Sequence, residues 1–507
     1  MNRIGSISSI GGAALFIAAA LGAPDVAAQP FERLLRRNFW NDGSNVTGMR
    51  TDSIGASYAE AYGRIVHGGF RDSYEADEAW SSGIAARTVM HRQRISMSGG
   101  FSFDRTSGRG MSGSMFCEPG FYPIDALEFT PGRKDRQTYA FDGAIAADVS
   151  ECWRIGAGID FESSNYAKRK DLRHTNYRLD LTVSPGAMWH RGDGAIGVNY
   201  LFGKNSESIK AEEVGSAAAA YYAFLDKGLM YGSYEAWTGS GTHLSESGID
   251  GLPVREILHG VALQGSWRNL YADIEYRHGA GVAGEKRTEW FRFPSHRITA
   301  HAAYGFGSRE RMQHIRLRVE WRRQTNDETV LDKETSNGIT NTFVYGQNRI
   351  FERETFCVNP EYEWIDARNE LRIGAEVESI ERLSSQMYPY LFFHSTIRSR
   401  VYMSGRAGIG KFEIGLGGWF LTGNATEDSR CVDDVEAGDT PYHLTEYYDL
   451  QNEYLTASRL GLEASVRYKF RCGVYAEAEA SYVRGFRLKY IAGANRWCET
   501  IKIGYDF

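Results

Sequence analysis

The chain has 507 residues, with 58 Lys and Arg against 64 Asp and Glu and a formal net charge of −6. That small, mixed-sign charge excludes a nucleic-acid partner. Mean hydropathy is −0.42, and beyond the first residues no stretch reaches the roughly 18–20 continuous apolar residues of a transmembrane helix.

Taken in chain order, Arg3 precedes an apolar stretch around Ala13–Leu21, and Val26-Ala27-Ala28 forms a small-residue cleavage site before Gln29. Residues 1–28 therefore read as a signal peptide for Sec-type export, cleaved near Ala28. Its apolar part is too short to span a bilayer. Residues 29–52 form a separate N-terminal segment. Pro30 can start a short basic helix through Arg37, and Asn41-Asp42-Gly43-Ser44-Asn45 turns the chain. Three placements are open: a small hatch inside a lumen, a periplasmic rim, or a disordered tail.

From residue 53 to 507 the chain alternates apolar and polar residues over segments of about nine to twelve. The first two strands fall near 53–64 and 81–90. Trp153, Ile155, Ala157, Ile159 and Phe161 then interleave with Arg154, Gly156, Gly158, Asp160 and Glu162. Ile315, Leu317, Val319 and Trp321 oppose Arg316, Arg318, Glu320 and Arg322. Period two is the signature of strands with one apolar face. Aromatics close the ends of that face, as in Trp153 with Phe161, Trp267, Trp321, Trp364, and Tyr468 with Phe470.

The connections alternate between tight and long. Tight turns lie at 91–93, 150–151, 191–193, 268–269, 308–311, 366–369, 409–410 and 471–473. Long loops lie near 65–80, 106–137, 163–173, 204–255, 279–290, 323–354, 380–394, 422–445 and 485–494. Eight turns on one side and nine loops on the other imply about 18 strands, with 16 the alternative count and both termini on the tight-turn side. Gly215–Met230 reads as a helix inside the longest loop. The 6 Cys include no CxxC; dispersed free thiols and a Cys117–Cys431 bridge are both open.

The last strand runs to the chain end, with Ile501, Ile503, Tyr505 and Phe507 on one face and Lys502, Gly504 and Asp506 on the other. An aromatic terminal strand behind a secretory signal resembles the assembly signal of bacterial outer-membrane β-barrels, with Lys502 where that pattern has Gly. By class the chain is similar to porin-like and uncharacterised outer-membrane β-barrel families. Asn45-Val46-Thr47-Gly48-Met49 resembles the N-terminal Asn-Pro-Ala-Gly segment of fatty-acid-transporter-like barrels, without its Pro and Ala. The resemblance implies an all-β, antiparallel, up-and-down transmembrane barrel with short periplasmic turns and long extracellular loops. It implies a place in a Gram-negative outer membrane, with lipid and the barrel-assembly machinery as partners. A folded plug domain before the first strand is not expected.

With the apolar set facing lipid, the other set lines the interior. The candidate pore-lining residues are Arg316, Arg318, Glu320, Arg322, Arg398, Arg400, Arg406, Asp273, Glu275, Glu376, Glu378, Glu477 and Glu479. They read either as a selectivity field for small polar solutes or as cross-strand pairs that brace the wall. The expected function is a transport channel passing such solutes by passive diffusion. The alternative is a structural or docking barrel for envelope proteins with an occluded lumen. No enzyme is expected. The 12 His are scattered, and neither His394-Ser395 nor His296 with His301 belongs to a nucleophile, base and orienter at recognisable spacing. Asp433, Asp434, Glu436 and Asp439 read as a solvated loop in preference to a Ca²⁺ site. No catalytic residue, metal or cofactor is assigned.

Overall fold

A computed structural model describes residues 31–507 except 54, 171, 213–222, 230–233, 237–242, 244–248, 286–287, 309–310, 337–338, 388–389 and 429–443. The signal peptide, Cys431 and the acidic residues 433–439 lie outside the described residues. The strands are β1 (Ala56–His67), β2 (Glu78–Arg92), β3 (Ile95–Ser114), β4 (Asp125–Asp148), β5 (Trp153–Lys168), β6 (Arg173–Arg191) and β7 (Gly194–Glu212). Two short pieces follow, β8 (Ala223–Asp226) and β9 (Tyr234–Ala236). Then come β10 (Ile249–Trp267), β11 (Leu270–Glu285), β12 (Thr288–Gly307), β13 (Arg311–Ser336), β14 (Ile339–Asp366), β15 (Asn369–Met387) and β16 (Tyr390–Ile409). The wall ends with β17 (Phe412–Asp428), β18 (Arg459–Lys469), β19 (Val474–Gly485) and β20 (Asn495–Asp506).

Each wall strand pairs antiparallel with its neighbours, and β20 returns to β1 from Tyr58↔Asp506 to His67↔Trp497. The result is a closed barrel of 18 strands. Closure matters because it leaves no edge groups unpaired at the depth of the bilayer. Strand facing follows the period-two pattern. Ile155, Val198, Leu263, Ile274, Ile315, Val401, Leu416, Ile501 and Ile503 all point outward and are exposed. Trp153, Trp189, Trp267, Tyr304 and Phe470 ring the tight-turn end. Trp153 to Phe161 is eight residue steps, roughly 27 Å along the strand, or a little over 20 Å of height at a tilt of about 40°. That matches the hydrocarbon-facing band of an outer-membrane barrel.

The tight turns stand where the sequence places them, with the first shifted to Gln93-Arg94. Gly192 and Gly410 sit in such turns at positive φ, where a Cβ would strain the backbone. The strands themselves are longer than the alternation indicates, from 11 residues in β18 to 28 in β14. Much of the expected loops at 204–255 and 323–354 is strand. The reason is that backbone ladders continue above the bilayer, where outward side chains no longer need to be apolar, so the pattern fades while the pairing does not. Within the expected Gly215–Met230 helix, Ala223–Asp226 instead forms β8 and pairs with Asp125–Glu128. Its apolar Ala223, Phe224 and Leu225 are buried in that pairing; residues 213–222 and 230 lie outside the described residues.

Inside the wall, aromatic rings lie over glycines directly across the ladder. Trp419 is paired with Gly461 and Tyr475 with Gly504. A Cβ on Gly461 would fall 2.0 Å from the Trp419 ring. Bare backbone lets a large ring lie flat on the wall, which accounts for part of the glycine content.

Candidate functional site

The N-terminal segment folds into the tight-turn end of the lumen as a hatch. It consists of α1 (Phe31–Leu35) and two 3₁₀ turns, Phe39–Asp42 and Val46–Thr51. Asn38 and Asn45 cap these turns by accepting from the backbone N–H groups of Trp40 and Thr47. Trp40 inserts among Met188, Ala195, Tyr271 and Ala303, and its Nε1 donates to Ser266 Oγ at 3.1 Å. Asn45 Nδ2 donates to Gln264 Oε1 at 3.1 Å.

A second set of contacts is ionic. Arg33 reaches Glu370 at 3.5 Å and Glu413 at 3.4 Å. Arg36 lies 3.4 Å from both Glu363 and Glu370, and Arg50 pairs with Asp148. From the wall, Arg316 donates to the Arg36 carbonyl at 2.7 Å and contacts Glu363 at 2.5 Å and Asp42 at 3.4 Å. Burial raises the carboxyl pKa of Asp42, against the pull of Arg316.

At the opposite end the β3–β4 connection, 115–124, turns into the lumen. Met115, Phe116, Tyr122 and Ile124 join a buried cluster with Ile209, Leu252, Phe291, Phe293 and Ile350. Polar contacts fix its tip. The backbone N–H of Cys117 donates to Glu207 Oε1 at 2.8 Å, Arg322 donates to the Phe121 carbonyl at 3.2 Å, and Arg353 to the Gly120 carbonyl at 3.0 Å. Cys117 is buried, and burial pushes its thiol pKa up; Cys431, its candidate bridge partner, lies outside the described residues.

Above the hatch lies a cavity of about 500 Å³ lined by Arg36, Asp42, Asp273, His301, Arg318 and Glu361 among others. A smaller one of about 310 Å³ lies against β15–β20, with Arg372, Arg406, Glu463 and Glu479.

The sequence-predicted lining residues all fall on the inner face, opposite exposed apolar neighbours. Arg316, Arg318, Asp273 and Glu275 share the larger cavity, and Arg406 and Glu479 the smaller. Many are paired: Glu320 with Arg297 at 2.9 Å, Glu275 with Arg277 at 2.5 Å, Glu477 with Arg467 and Glu479 with Lys502 at 2.8 Å, and Arg398 with Glu378. Arg406 reaches Glu413 at 3.7 Å. Arg400 lies over the rings of Tyr402 and Trp419, and Glu376 stands across the ladder from it.

Sequence reasoning missed Glu363, Glu370 and Glu413 as hatch receptors. They sit on the inner face like their neighbours, but nothing local marks contacts to a segment more than 300 residues away. It also missed the inward course of 115–124, whose signal was an apolar run inside a long loop.

A family model described as a family of unknown function (DUF6850) matches residues 46–507. No curated protein matches the sequence. Among solved structures, the chain is similar to the siderophore receptor PiuA from Acinetobacter baumannii (9% identity, 89% of this chain and 82% of that one, TM-score 0.45). It is also similar to the FrpB iron transporter from Neisseria meningitidis (8%, 92% and 83%, TM-score 0.45). A third is OccK9 from Pseudomonas aeruginosa (9%, 89% and 98%, TM-score 0.34).

Proposed function

The chain belongs to the DUF6850 family, and we propose that it is an outer-membrane channel passing small polar solutes by passive diffusion when its hatch yields. The outward apolar band with its aromatic ends supports residence in an outer membrane. A barrel of this strand number encloses more space than its own side chains fill. The observation that carries the reading is the charged cavity of about 500 Å³ left above the hatch. The hatch is held by buried ion pairs and hydrogen bonds beside the Trp40 ring, and its charged groups regain water when it moves.

The test is conductance in planar bilayers of the refolded protein and of a variant lacking residues 31–52, both checked for barrel structure by circular dichroism. The expected result is rare opening of the full chain and steady ohmic steps from the variant. Two silent, folded proteins sink the channel reading.

That outcome favours a second reading, a docking barrel. It draws on the β13–β14 hairpin. Among the described residues these strands pair only with each other beyond Glu328 and before Phe351, and Phe343, Val344 and Tyr345 are exposed.

A further inference from the structure

Strand β13 carries inward arginines at three heights. Arg316 holds the hatch through the Arg36 carbonyl, and Arg322 holds the inturned loop through the Phe121 carbonyl. Arg318 lies between them, roughly 7 Å above Arg316 and 13 Å below Arg322 along the strand. Its situation differs from theirs. Its side chain is 57% exposed although it lies inside a closed barrel, and its ion pair is a 3.6 Å contact with Glu320. That carboxylate is already engaged by Arg297 at 2.9 Å.

The ladder register sets Arg318 in a lateral row. Asp273 is paired with His301, His301 with Arg318, and Arg318 with Asn359. All four face the same cavity. Neighbouring strands are about 4.8 Å apart, so the row runs roughly 14 Å across the wall. Asp273 Oδ2 and His301 Nδ1 are buried and face each other at 3.4 Å, and the Tyr271 hydroxyl also meets Asp273. The row offers a guanidinium in the middle, a carboxylate acceptor at one end and, at the other, the amide oxygen of Asn359, whose Nδ2 is held by the Ala375 carbonyl at 2.9 Å.

We propose that this row binds a small solute carrying a carboxylate or phosphate beside hydroxyl groups. The anion lies on Arg318, and the hydroxyl groups donate to the Asp273 carboxylate and to the Asn359 amide oxygen. The proposal deepens the channel reading by naming its cargo class, and rests on it for that role. A charge-assisted, bidentate contact to guanidinium supplies most of the discrimination, and a cavity of this size suits a six-carbon molecule.

The test is titration calorimetry of the full-length barrel in detergent with gluconate, glucose 6-phosphate and glucose. One of the two anions binds, which separates carboxylate from phosphate, and glucose gives no heat. Arg318→Gln weakens that binding about tenfold or more, since a hydrogen bond to a charged group is worth at least that factor, and Arg318→Lys recovers part of it. Binding unchanged in Arg318→Gln, equal binding of glucose, or no binding of either anion overturns the proposal. Bilayer conductance on the same preparations keeps the two readings apart. Binding without conductance sinks the channel and leaves the site; conductance without binding does the reverse.

Discussion

Glu363 is fully buried at the base of the lumen, against the guanidinium groups of Arg316 and Arg36 and the His314 ring nitrogen at 3.1 Å. Removing one partner of such a cluster leaves the rest buried and uncompensated, a loss on the order of 3–5 kcal/mol. Glu363→Gln keeps the shape and removes the charge. It is expected to raise amide exchange across residues 31–52 at least tenfold while the wall strands keep their protection. Unchanged exchange in the hatch would show that Trp40 and Asn45 hold it alone. Residue facing was legible here, because outward Tyr362 and Trp364 flank Glu363 in the sequence. Its partners were not, since Arg36 lies 327 residues earlier and period-two patterning says which wall a side chain faces and nothing of what it meets.

At the scale of elements, the outer mouth depends on connections that fold on one another. The β1–β2 loop buries Phe70 against Tyr454 of α2 (Leu444–Thr456), with Arg459 over both rings. Next to it Asp72 is 2% exposed. Burial pushes its carboxyl up to about 6, although Ser73 hydrogen-bonds it, and Glu75 adds to the rise. A raised folded pKa means that the packed loop binds the proton more tightly than the open one. The contribution is therefore complete below about pH 4 and is lost as pH rises through 6, with a size on the order of 3 kcal/mol. Exchange of the 68–77 amides, corrected for intrinsic rate, is expected to speed up between pH 4 and 7 in the native chain. In Asp72→Asn that dependence should vanish; its persistence would locate the titration elsewhere. None of this packing was legible as structure. The loops announced themselves by length and loss of alternation, whereas their folds rest on contacts between segments remote in sequence.

The whole molecule was the most legible scale. Strand number followed from counting tight turns against long connections, because an up-and-down barrel repeats one hairpin and nothing else. The seam where the ends meet rests on the final strand: the Phe507 backbone N–H donates to the Ser57 carbonyl at 2.9 Å, and its ring packs on Tyr505. Phe507→Ser is expected to deplete the protein from outer-membrane fractions, and normal insertion would refute a role for that residue in assembly.

The hatch and the seam are also neighbours along the chain. The last 3₁₀ turn ends at Thr51 and β1 begins at Ala56, so at most about 18 Å of backbone joins the hatch to the wall. A hatch that lets go is thus leashed beside its own socket, at an effective concentration in the millimolar range. Reclosing is a first-order event whose rate owes nothing to how many copies a membrane holds. Purification and dilution cannot strip the hatch away, and the open fraction of one barrel is set within that barrel alone.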